Sequence, residues 1–124
     1  MLASLIVIIP EIEELIANRD FATIRVVFED WEPVDLAVVV AELSEQNRVV
    51  IFRLLPTDIA AETFAYCDRD TQESLLHDMA KEDVAALLND MSPDDRTQLF
   101  EELPSNVVAE LINQLSAEER AVAL

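Results

Sequence analysis

The chain is 124 residues long, enough for one domain with its own core, and 52% of its residues are apolar, too many for a disordered tail. It contains no glycine, which excludes the glycine-dependent phosphate loops of P-loop and Rossmann proteins, and one Tyr and one Trp among few β-formers argue against an all-β domain. Eight Lys+Arg against 26 Asp+Glu give a net charge of −18, so there is no basic face for nucleic acid and anionic lipid would repel the surface. Such a surface attracts divalent cations or basic partners. The composition predicts an all-α protein.

From the N-terminus, the apolar run at residues 1–9 is followed by Pro10. It is shorter than the roughly 20 residues a membrane span needs and lacks the basic start and cleavage site of a signal peptide. It reads as a helix start or packing arm. One or two short helices are predicted, around residues 11–18 and 21–29, with Asp20 as the cap between them. Residues 1–30 form an N-terminal helical segment, and residues 31–124 form a repeat region of the same single domain.

The repeat has a beat of twelve. Leu43, Leu55, Cys67, Met79, Met91, Leu103 and Leu115 mark it, preceded by three residues by Val40, Phe52, Phe64, Leu76, Leu88, Phe100 and Ile112. Directly before those stand Val39, Ile51, Thr63, Leu75, Leu87, Leu99 and Leu111. Positions i, i+1 and i+4 make one helical stripe, so each unit reads as a helix of 8 or 9 residues with a turn of 3–4. About seven such helices are expected from Glu32 onward.

Alternate units differ, so the full period is 24. Seven residues before the end of odd units stand Leu36, Ala60, Val84 and Val108; even units hold Arg48, Gln72, Arg96 and Arg120 there. The odd helices are therefore expected to be buried on more sides. The even ones should turn a polar flank to water, with the arginines free to pair with neighbouring acids. Ser44, Asp68, Ser92 and Ser116 open the even units as N-caps, Pro93 sits at a first helical position, and Pro56 and Pro104 close off the preceding helices. One such helix cannot bury its stripe alone. The expected architecture is a right- or left-handed superhelical solenoid of short helices, armadillo-like, with a 12/24-residue repeat. The last unit, 116–124, stops short of its next apolar residue, which leads to the expectation that the native chain continues.

Three stretches carry a resemblance to a known family. Asp30 to Ala37 (with Pro33 and Asp35), Phe52 to Glu62 (with Leu54, Leu55 and Pro56) and Leu88 to Arg96 (with Asp94 and Asp95) resemble the cytosolic N-terminal domain of MgtE-type magnesium transporters. The likeness runs from about residue 11 to residue 124. It implies a homodimeric full-length protein in which this domain precedes a CBS-domain pair and a transmembrane channel. It further implies a position on the cytoplasmic face of the inner membrane and Mg²⁺ shared between this domain and the CBS domains, closing the pore when Mg²⁺ is plentiful. Carried over residue by residue, the resemblance places Glu62, Asp94 and Asp95 near such ions.

Each of these acids has a plainer reading. Asp94 and Asp95 fall in a first helical turn, where free N–H groups and the helix dipole stabilise acids, and Glu62 reads equally as a solvated helix residue. Cys67 occupies a repeat core position and His77 a helix flank; ten positions apart, they supply neither a zinc set nor an activated nucleophile. Trp31 is expected to pack beneath the first clear repeat, and Glu101–Glu102 to be a solvated face. No nucleophile, base or cofactor loop marks an enzyme. The expected function is a Mg²⁺-sensing regulatory domain. The alternative is a helical-repeat interaction scaffold of the kind found in flagellar motor switch proteins, which should expose an apolar or aromatic groove.

Overall fold

The structure, a computed structural model, describes residues 7–114, with side chains through residue 112. Expectations for residues 1–6, Leu115, Ser116, Arg120 and Leu124 lie outside the described residues. Every element within them is helical: α1 (Ile9–Ala17), α2 (Phe21–Phe28), α3 (Pro33–Glu42), α4 (Glu45–Leu54), α5 (Thr57–Tyr66), α6 (Arg69–Asp78), α7 (Lys81–Asp90), α8 (Pro93–Glu102) and α9 (Ser105–Gln114). Pro10 ends the apolar run in sequence and opens a helix in the structure. It sits in the first turn of α1, where its missing N–H costs nothing, and Ile9 and Ile12 are buried.

Each helix from α3 to α8 has ten residues, and two residues join it to the next, so the helices are longer and the joints shorter than the periodicity suggested. The reason lies in the joints. Leu43, Leu55, Cys67, Met79, Met91 and Leu103 all take extended backbone with ψ of 144° to 160°. The residue after each begins the next helix from the same region, as Ser44, Asp68 and Ser92 do at ψ of 156°, 165° and 150°. Two extended residues turn the chain without visiting positive φ, so the left-handed glycine that ends many helices is not required. This accounts for a twelve-residue beat, ten in the helix and two in the joint, in a chain with no glycine at all.

One joint does need a left-handed residue. Arg19 has φ of 56°, the only positive φ among the described residues. Its N–H donates to the Ile16 carbonyl at 3.0 Å, and the Asp20 N–H to the Leu15 carbonyl at 2.9 Å, the paired bonds of a Schellman motif closing α1. Asp20 then caps α2, accepting from the Thr23 N–H at 3.4 Å and the Thr23 hydroxyl at 2.8 Å. The predicted caps of the even helices hold likewise: Ser44, Asp68 and Ser92 accept from the N–H of Asn47, Thr71 and Asp95 at 3.3, 2.8 and 3.1 Å.

The helices stack in two layers of alternate units. In the odd layer α3 packs on α5 and α5 on α7; in the even layer α4 packs on α6, and α1 closes the N-terminal end against α2 and α4. The alternation in sequence explains the layering. Leu36, Ala60 and Val84 are buried on the odd helices, joining Val40, Phe64, Leu87 and Leu88 in a continuous core. Phe52 of α4 meets Phe64 of α5 edge to face at 6.5 Å, tying the layers together, and Trp31 meets Phe28 the same way at 5.1 Å beneath the first repeat.

The polar residues at the recurring position of the even helices, Arg48, Gln72 and Arg96, bond to backbone carbonyls rather than to acids. Arg48 donates from Nε to the Val40 carbonyl at 3.0 Å and from Nη2 to the Ala41 carbonyl at 2.8 Å. Gln72 Nε2 reaches the Phe64 carbonyl at 3.0 Å, and Arg96 Nη1 the Leu88 carbonyl at 2.9 Å. These are last-turn carbonyls of the preceding odd helix, at the negative end of its dipole; those of Val40 and Phe64 also accept from the N–H of Leu43 and Cys67. Each even helix thus caps the odd helix before it.

Candidate functional site

Asp94 and Asp95 occupy the first turn of α8, directly after Pro93, and both are exposed. The Asp95 N–H is taken by Ser92 Oγ, so the helix start is capped by serine and both carboxylates are left to solvent contacts at the positive end of α8. Glu62 lies on the other layer, on the outer face of α5, exposed between buried Ala61 and Thr63. The structure therefore keeps Asp94 and Asp95 adjacent and places Glu62 apart from them. Among the described residues no group of three or more His, Cys, Asp and Glu side chains is arranged to hold a metal ion.

Asp95 lines a polar depression. Between α6 and α8 lies an open cleft of about 470 Å³ walled by Asp68, Arg69, Gln72, Asp95, Gln98 and Glu102, with Cys67 and Met91 at its floor. Arg69 Nη2 reaches across it to Glu102 at 3.6 Å, and Gln98 Nε2 donates to the same Glu102 at 3.0 Å. Glu102, expected to be merely solvated, is held from both sides. The signal was present in the repeat, since Arg69 opens one even helix and Glu102 closes the next. Reading it required knowing that alternate helices are neighbours.

A second depression, of about 570 Å³, is apolar. Val26, Phe28, Trp31, Leu54 and Ile59 line it where α2 meets the start of the repeats, with Arg25 and Glu29 at its edge. Val26 is 69% exposed there.

The two soft side chains behave as core and flank. Cys67 is buried and free; its Sγ–H points at the Thr63 carbonyl, 3.4 Å away, and desolvation, reinforced by Asp68, pushes its thiol pKa up to about 12. Burial thus favours the neutral thiol. His77 is exposed near the end of α6, and the hydrogen bond between its Nδ1 and Asp78 at 2.9 Å raises its pKa above the ordinary imidazole value.

The fold and its surface define an all-α repeat domain, acidic overall, with exposed helix-end carboxylates and no helix among the described residues long and apolar enough to cross a membrane. Residues 31–124 match the family of the MgtE intracellular N domain, and the chain belongs to that family, a cytosolic domain of magnesium transporters. No curated protein matches the chain. The matched region begins at Trp31, so α1 and α2 lie ahead of it.

Proposed function

We propose that this chain is the Mg²⁺-responsive regulatory domain of a magnesium transporter, working by sharing ions with a CBS-domain pair of the same protein. The observation that carries this reading is the membership of residues 31–124 in the MgtE intracellular N domain family. The donor chemistry fits. Mg²⁺ keeps several waters and takes one or two carboxylates from each surface, and Asp94 and Asp95 offer two exposed carboxylates side by side. Glu62 would meet a separate ion. At −18, the domain and an acidic partner surface repel each other until a cation lies between them. The ion then favours the docked arrangement by the difference in its affinity for the two states. Docking at high cytosolic Mg²⁺ holds the pore closed; low Mg²⁺ releases it.

The test is made on the full-length transporter. Millimolar Mg²⁺ should raise its melting temperature and slow proteolysis between the N-terminal and CBS domains, and Asp94→Asn/Asp95→Asn should blunt both effects. Equal protection in that variant and in the parent would remove the assignment of these two acids. Absence of any Mg²⁺ effect in the parent would remove the sensing role itself.

A second reading, an interaction scaffold, is favoured by the apolar groove around Val26 and Trp31. Val26→Asp would abolish partner capture on that reading and leave the Mg²⁺ response intact on the first.

A further inference from the structure

The even layer is not uniform. Helices α4 and α6 pack closely, whereas α6 and α8 stand apart across the 470 Å³ cleft. The two ends of α8 are held differently. Its head, capped by Ser92, is fixed to the preceding helix by Arg96, bonded to the Leu88 carbonyl. Its tail is held to α6 by Arg69 and Glu102, whose side chains are 52% and 44% exposed and only 3.6 Å apart. Asp68 and Asp95 line the same cleft, so three carboxylates face one guanidinium across it. Leu99 and Leu103 remain buried, which allows a tilt of the helix but not its detachment.

We propose that α8 pivots at the Met91–Ser92 joint and that the Arg69–Glu102 pair is a clasp holding its tail against α6, so that releasing the pair opens the cleft. The joint suits a pivot because both of its residues lie in the broad extended region, with φ of −69° and −62°, where small rotations cost little. Since the chain passes from the tail of α8 into α9 through Leu103 and Pro104, the clasp sets the direction in which α9 leaves the stack. If the Mg²⁺-dependent reading above holds, that direction bears on how the domain meets its partner; the clasp itself requires no ion.

The experiment uses the 124-residue chain with nitroxide labels at Asp70→Cys and Glu101→Cys, exposed neighbours of the clasp residues, while buried Cys67 stays unlabelled. Pulsed electron resonance distances are compared in the parent, in Arg69→Gln, in Glu102→Gln and in the swapped Arg69→Glu/Glu102→Arg. An exposed pair of this kind shifts a two-state balance by up to about fivefold. The expected result is a longer, broader distribution in both neutral variants, at unchanged helicity, with the parent distribution regained in the swap. The same distribution in parent and neutral variants would overturn the proposal, and so would a lengthening that the swap fails to reverse. Because no Mg²⁺ is present, the outcome is independent of the sensing role.

Discussion

Arg48 and Val40 stand eight residues apart on consecutive helices, and the guanidinium of one closes the carbonyl end of the other: Nε donates to the Val40 oxygen at 3.0 Å while Nη2 takes Ala41 at 2.8 Å. Arg96 and Leu88 repeat the relationship with a single bond, and Gln72 and Phe64 with a neutral one. A hydrogen bond from a charged donor contributes about 1.5–3 kcal/mol. Arg48→Met should therefore lower the unfolding free energy in urea by about that amount, and Arg96→Met by less. Lys at position 48 should restore only part, because an ammonium has no fork to span two carbonyls. Equal losses at 48 and 96 would show that the number of bonds is not what matters.

Thr63 interrupts the apolar series and is fully buried, and its hydroxyl finds no hydrogen-bond partner. A buried unsatisfied polar group costs about 1–3 kcal/mol, so Thr63→Val should leave stability unchanged or raise it by about 1 kcal/mol. Thermal unfolding decides; a drop of similar size would mean that the hydroxyl is bonded in solution.

Left-handed backbone at Arg19 costs about 1–2 kcal/mol for a residue with a Cβ, against roughly 0.5–1 kcal/mol of extra chain entropy lost by glycine. Arg19→Gly should raise the melting temperature slightly, and Arg19→Val should lower it clearly.

The acid beside His77 works on its titration. Folding raises the pKa of this imidazole, so its contribution to stability is complete below the unfolded value near 6.5 and fades as pH rises through the higher folded value. NMR titration should place the midpoint above that of an unperturbed histidine, and Asp78→Asn should bring it down.

Cys67, with its thiol pKa near 12, should resist alkylation at pH 8 in the folded protein and react promptly in urea. Fast reaction without denaturant would show that the joint between α5 and α6 opens readily.

Much of this fold was legible because the chain repeats. The apolar stripes, the Asp20, Ser44, Asp68 and Ser92 caps and the two N-terminal helices all follow from local spacing and capping chemistry, which act within one or two turns. What was not legible depends on which helix lies beside which. The period shows that positions 48, 72 and 96 are polar, but not that their side chains turn back eight residues to carbonyls rather than out to acids. Glu102 looked like open surface until Arg69 was placed across the cleft from it. The joints were misjudged for another reason: the last apolar residue of each unit is buried, as at Leu43 and Met91, while its backbone has already left the helix. At Asp94 and Asp95 the sequence and the structure agree on two exposed acids at a helix head, because the Ser92–Pro93 start that places them there is local.

The extended two-residue joints make the helix pair a modular cassette. Every even helix from α4 to α8 begins from the same backbone conformation at Ser44, Asp68 or Ser92, so excising 24 residues between equivalent joints rejoins like to like. Removing 12 instead would exchange the layers beyond the cut, driving Arg96 into the place of Val84 in the core and leaving the carbonyl ends of the odd helices bare. Length changes in this architecture are thereby quantised, tolerated in steps of two helices and destructive in steps of one.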